Sequence, residues 1–263
     1  MKKNKFAFVA LIFLAILLVQ PQNFQAVVST FTQNDLKSQL NITGSPGEKN
    51  SDISSTYHSK NSELKSRTYD GKSQVIEVHS KAQFTSEELS LEQGTWKKFS
   101  NLDFLNRVGV AEAMLGQDLL PKKEREDIST VTPTGWKNKK INFNGQSDYL
   151  YNRSHLIAFQ LSGENNPQNL FTGTRALNAN FEDEKSSMLY YENLISDYIK
   201  ETGHHVRYRV TPIFKNVELV CRGIRLEAQS VEDDTISFDV YIFNIQPGYE
   251  LNYLTGDSQK VAS

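Results

Sequence analysis

The chain opens with an uncharged apolar run, residues 6–19 (FAFVALIFLAILLV), behind Lys2, Lys3 and Lys5. A positive stretch followed by an apolar one shorter than the roughly twenty residues that span a bilayer predicts a secretory signal peptide. Residues 1–26 are assigned to it, with cleavage after Ala26; an uncleaved N-terminal anchor is the alternative. Residues 27–80 are rich in Ser, Thr, Asn, Gln and Lys and poor in large apolar side chains, which predicts a flexible polar spacer closed by a weak strand at SQVIEV, residues 73–78. The folded domain is expected over residues 81–263.

Within that domain, apolar residues at helical spacing with Gly breaks predict one or two helices over roughly residues 97–120, ended by Pro121. Residues 133–159 mix turn residues with short β-prone pieces and put His155 on, or at the end of, a strand. NNPQNLFTGT, residues 165–174, reads as loop. Residues 177–202 read as one helix stopped by Gly203, with Phe181, Met188, Tyr191, Leu194, Ile195 and Tyr198 available for its packed face. Three strand-like segments follow, HHVRYRVTPIF, ELVCRGIRLEAQS and TISFDVYIFNI. Helices and strands do not alternate regularly, so the fold class is α+β, with a mixed, mainly antiparallel sheet and packed helices.

Composition changes this picture in two places. A net charge of −2 and a pI near 6.2 give no global basic signature, so any attraction to nucleic acid must be local. Cys221 is the only cysteine, which excludes an internal disulfide even in an exported protein. Its strand-like surroundings read it as a small buried apolar residue; a thiol nucleophile would need a histidine beside it.

The candidate chemistry centres on YNRSHL, residues 151–156, where His155 precedes the apolar run LIAF. Alone, such a histidine is explained by a polar residue at a strand end, hydrogen-bonded to a backbone carbonyl. Downstream lie Asn169, Asn178 and Glu192, the last two separated by close to four helical turns and so expected on nearly one face of one helix. Arg153 and Arg175 suit phosphate contacts or surface salt bridges, and Lys137, Lys139 and Lys140 form either a local basic patch or a solvated loop. His204 and His205, adjacent on a predicted strand, point to opposite faces and make a poor metal pair.

NRSH, residues 152–155, resembles the Asp-Arg-Gly-His motif of the DNA/RNA non-specific endonucleases, which are ββα-metal nucleases, and YNRSHLIA is similar to their secreted streptodornase-like members. The likeness continues through NPQNLFTGTRALN, YYE and the closing NIQPGYELNYLTGD, and covers roughly residues 136–257. Two positions depart from the usual motif: Asn152 stands for Asp and Ser154 for Gly.

The resemblance implies a ββα-metal active-site unit, with His155 as general base and Asn178 binding one Mg²⁺ through its amide oxygen. Glu192 would hold metal-bound waters, Asn169 would position the metal site or the substrate, and Arg153 and Arg175 would contact phosphate. Mn²⁺ or Ca²⁺ could replace Mg²⁺. The implied activity is sequence-nonspecific hydrolysis of DNA, and of RNA, to 5′-phosphate products by a secreted monomer with no stable membrane association. Nutrient recovery and degradation of extracellular DNA traps are the implied roles. The alternatives are an inactive secreted nucleic-acid-binding protein of the same fold and a surface adhesion module carried on the spacer.

Overall fold

The computed structural model describes residues 50–261, with side chains from residue 55. The signal peptide and the first part of the expected spacer lie outside the described residues. In chain order the elements are helix α1 (Asn50–Ser66), β1 (Val75–His79), β2 (Trp96–Phe99), β3 (Ala111–Leu115), β4 (Lys140–Phe143), β5 (Gln146–Tyr149), β6 (Tyr151–His155), α2 (Phe159–Ser162), β7 (Leu170–Thr174), α3 (Arg175–Asn178), α4 (Met188–Thr202), β8 (Val206–Ile213), β9 (Gly223–Ser230), β10 (Ser237–Phe243), β11 (Tyr249–Leu251) and β12 (Ser258–Lys260).

Six strands form one antiparallel sheet in the order β1-β10-β9-β8-β3-β2, and β4-β5, β6-β7 and β11-β12 form separate two-stranded sheets. The class is α+β, and the pairing is antiparallel throughout.

Alternation along β8, β9 and β10 sorts the large sheet into two different faces. Val206, Tyr208, Val210, Leu226 and Val240 belong to the main apolar core together with Met188, Ile195, Tyr198 and Ile199 of α4. The alternate positions carry Arg207, Arg209, Arg225, Glu227 and Asp239, all buried. These charges are paired rather than isolated: Arg225 donates to Asp239 at 2.7 Å and to Glu227 at 3.0 Å, and Arg209 donates to Glu112 at 3.0 Å and also to Glu88.

Helix α1 differs from the expected flexible spacer. Its residues Tyr57, Asn61 and Leu64 share one face and give this polar segment specific partners: Tyr57 Oη lies 2.5 Å from Thr211 Oγ1, Asn61 Oδ1 accepts from Arg225 at 2.9 Å, and Leu64 packs with Ile213, Tyr241 and Phe243. A few well-placed side chains on a prepared sheet face outweigh low mean hydropathy.

Three further expectations are corrected. Residues 97–120 hold β2, β3 and one short 3-10 turn (Gln117–Leu119) rather than the expected helices, because AEAML, made of good helix formers, pairs with β2 and β8 and is largely buried between them. LFTGT is strand β7, paired with β6. The expected single helix over residues 177–202 is two, α3 and α4, separated by residues 179–187. Phe181 is therefore exposed rather than packed, and Leu194 also faces solvent. Gly203 does end α4, in the left-handed conformation at φ 75°.

Candidate active site

His155 is the last residue of β6, paired across the ladder with Leu170 of β7. The connection between these strands is held by Asn169, fully buried. Its Oδ1 accepts from the Ile157 backbone N–H, and its Nδ2 donates to the carbonyls of Ile157 and Glu164, each at 2.9 Å. Lys97 of β2 adds a salt bridge to Glu164 at 3.1 Å and donates to the Ser162 carbonyl. The loop thus fixed presents Asn165, whose Oδ1 lies 2.9 Å from His155 Nε2. An amide oxygen can only accept, so Nε2 carries the proton and the lone pair is left on Nδ1. Burial is the main cause that lowers the His155 pKa to about 4; the Asn165 contact opposes it and the Arg125 charge adds to it. The imidazole is therefore neutral at physiological pH.

Asn178 is the last residue of α3. Thr174 caps this short helix by accepting from the Leu177 N–H at 3.1 Å. Two residues of the closing NIQ segment brace it from outside: Asn244 accepts from the Thr174 N–H and donates to the Thr172 and Cys221 carbonyls, and Gln246 accepts from the Ala176 N–H. The Asn178 side chain itself has no hydrogen-bond partner among the described residues.

Glu192 lies on α4, a different helix from Asn178, so the shared-helix expectation fails. Both nevertheless reach the same place. His155, Asn178, Glu192, Arg153 and Asn152 line one open cleft of about 810 Å³. Glu192 is 8% exposed, has no ion pair among the described residues, and burial raises its pKa to about 8. A carboxylate desolvated in this way is charged at neutral pH only beside a cation. Among the described residues no group of three or more His, Cys, Asp or Glu side chains is placed to hold a metal.

The other sequence candidates are distributed differently. Arg153 lines the cleft with its guanidinium 4.5 Å from the Trp136 ring, donating to the carbonyls of Ser129 and Val131, and its charge bears on the exposed Asp127 carboxylate without a direct ion pair. Arg175 is not part of the cleft lining but binds two residues that are, donating through Nε to Asp148 at 2.5 Å and through Nη1 to the Ala179 carbonyl at 3.0 Å. Lys137 is tied to Asp257, and Lys139 to the Ser258 carbonyl. Asn169 is spent entirely on backbone.

Sequence reasoning missed Asn165 and Arg125. Arg125 is exposed at the cleft and close enough to bear on His155. The run of Asn residues in GENNPQN was the available signal for the first; nothing marked the second.

The departure Ser154 has a structural counterpart. A Cβ on Gly173 would lie 2.3 Å from Ser154 Oγ, so the bare backbone of β7 provides the room that the serine of β6 occupies. Cys221 is buried, with its thiol pushed up to about 12 by burial, which suits packing and not nucleophilic chemistry.

Residues 89–232, more than half of the chain, match the model of the DNA/RNA non-specific endonuclease family. The chain belongs to that family.

Solved structures of similar proteins agree. The magnesium-bound structure of NucA from Streptococcus agalactiae shares 27% identity over 71% of this chain and 88% of its own, with a TM-score of 0.63. The zinc-bound structure of the Sda1 nuclease shares 28% identity over 64% of this chain and 81% of its own, with a TM-score of 0.57. The protein is a nuclease, and its substrate class is nucleic acid.

Proposed function

We propose that this nuclease is an exported, divalent-metal-dependent endonuclease that cuts DNA and RNA without sequence readout, using His155 as base and Asn178 and Glu192 to hold the metal. The observation that carries this reading is the convergence of a neutral imidazole, an unpartnered amide and a desolvated carboxylate on one cleft. The amide and carboxylate oxygens are hard donors that suit Mg²⁺, which keeps several waters and needs few protein ligands. Mn²⁺ or Ca²⁺ would fit the same donors. When bound, the cation would neutralise charge growing on the phosphate and on the leaving oxygen.

The chain's own residues supply the rest. His155 Nδ1 takes a proton from water as the water oxygen attacks phosphorus opposite the 3′-oxygen. The P–O3′ bond breaks, leaving a 5′-phosphate and, after proton uptake from solvent, a 3′-hydroxyl. The phosphodiester anion entering the cleft favours the imidazolium form and so strengthens a base whose pKa is low in the free protein. Arg153 and Arg125 attract the phosphate backbone electrostatically. Asn169 and Arg175 act as positioning residues, the first through the Asn165 loop and the second through Asp148. Residues 1–26 are proposed to direct export and to be removed; no helix among the described residues is long and apolar enough to cross a membrane.

The experiment is incubation of plasmid DNA and of RNA with the purified protein in Mg²⁺ or in EDTA, with end-group analysis of the products. Cleavage in Mg²⁺ alone, leaving 5′-phosphates, is expected. Retardation of DNA without cutting, across divalent metals and pH, would show a binding protein instead.

A further inference from the structure

Two large aromatic rings remain in water, one in the cleft lining and one two residues beyond the cleft-lining Ala179. Tyr149 lines the cleft and is 51% exposed; Phe181, three positions beyond Asn178, is 67% exposed. Leaving large rings in water forgoes the burial that normally stabilises them.

These rings sit on braced segments. Arg175 lies 5.0 Å from the Phe181 ring and bonds through Nε to Asp148 Oδ2, while Asp148 Oδ1 accepts from the backbone N–H of Tyr149 at 2.7 Å. One arginine therefore links both ring-bearing segments. A second tie joins the β4-β5 turn to the same loop, Asn144 Nδ2 donating to Asn180 Oδ1 at 3.1 Å. Lys140, exposed and directly opposite Tyr149 in the β4-β5 ladder, puts a cation on the same face of that ladder.

Exposed aromatic faces interleaved with cations suit a strand whose bases are unpaired and free to stack. A duplex hides its base faces and offers mainly edges and phosphates. We propose that Tyr149 and Phe181 are a base-stacking platform that fits this cleft to single-stranded polynucleotide, DNA or RNA. The proposal rests on the cleft being the nucleic-acid site. It deepens that reading by naming the substrate form and the residues that select it.

The test measures binding of the full chain in EDTA to three fluorescent ligands of equal length: a single strand, an abasic strand and a duplex. Tyr149→Ala, Phe181→Ala, the double variant, and the conservative Tyr149→Phe and Phe181→Trp are compared with the wild type. Each alanine variant is expected to weaken single-strand binding by roughly tenfold, with abasic and duplex binding unaltered and the aromatic replacements restoring affinity. In Mg²⁺ the same alanine variants raise KM on the single strand. Equal loss on all three ligands, no loss on any, or a wild type that does not prefer the base-bearing strand over the abasic one overturns the platform. A wild type with that preference and the expected alanine effects that nevertheless fails to cut would leave the platform standing and remove the nuclease mechanism.

Discussion

Asn165 Oδ1 lies 2.9 Å from Nε2 of His155, so a loop residue ten positions downstream in the chain sets which ring nitrogen carries the proton. The same loop is held by Asn169 and Lys97, which makes the orientation of the base a property of three separate elements.

Replacing that acceptor is expected to lower activity without unfolding the protein. Asn165→Ala should reduce kcat by roughly 10–100-fold, in line with the loss of a group that orients an active-site histidine. The sharper test is Asn165→Asp. A carboxylate beside Nε2 favours the imidazolium, so the acid limb of the kcat profile should move to higher pH. An unchanged limb would mean that Asn165 does not act through His155.

Glu192 has a pKa raised from 4.5 to about 8, so between those values the folded protein binds a proton that the unfolded chain does not. Stability of the metal-free protein from this group is therefore full below about pH 4.5 and falls as pH rises towards 8. His155 acts in the opposite sense between about 4 and 6.5, its contribution being lost as pH falls, so wild type and variant are compared at the same pH. In EDTA at pH 8, Glu192→Gln should unfold at higher urea than the wild type, with the gap closing towards pH 4.5. A divalent cation should raise the wild-type midpoint more than the variant's. A wild type at least as stable as Glu192→Gln at pH 8 in EDTA would contradict the buried, unpaired carboxylate.

The contact between Ser154 and Gly173 predicts a compensating pair. Gly173→Ala should destabilise by about 1–3 kcal/mol, the usual cost of overpacking, because its new methyl would fall on Ser154 Oγ. Adding Ser154→Gly should recover much of that loss. Additive effects in urea denaturation would show that the two positions do not meet.

Cys221 is buried beneath the Asn244 clamp, and its thiol is pushed up to about 12. It should resist an aromatic disulfide reagent in the native protein and react at once in denaturant. Rapid native labelling would place the thiol at the surface.

The elements that were legible in the sequence are those whose period matches their environment. β8 and β10 alternate or are β-branched, α4 has an apolar stripe on the sheet, and the turn residues and β-prone pieces of residues 133–159 put His155 at a strand end. β3 was not legible because Ala, Glu, Met and Leu favour helix, and only pairing with β2 and β8 makes them a strand. β7 was hidden by Thr and Gly in a segment that reads as turn, although that glycine is needed beside Ser154. At the site, His155, Asn178 and Glu192 could be named from the motif and its downstream segments. Arg125 could not, because only tertiary folding brings it to the cleft, and the Asn-rich GENNPQN run did not by itself tie Asn165 to His155. Asn244 and Gln246 lay in a segment whose likeness to the family was visible while its bracing of α3 was not.

The account's central claim is that His155 and Asn178 act together in metal-dependent cleavage. The most direct measurement is the rate of plasmid cleavage in Mg²⁺ by the wild type, His155→Ala and Asn178→Ala, with circular dichroism confirming that each is folded. The account predicts loss of at least about 100-fold in each variant, the scale of a general base or an essential charge-stabilising group. Folded variants that cut at close to the wild-type rate would contradict it.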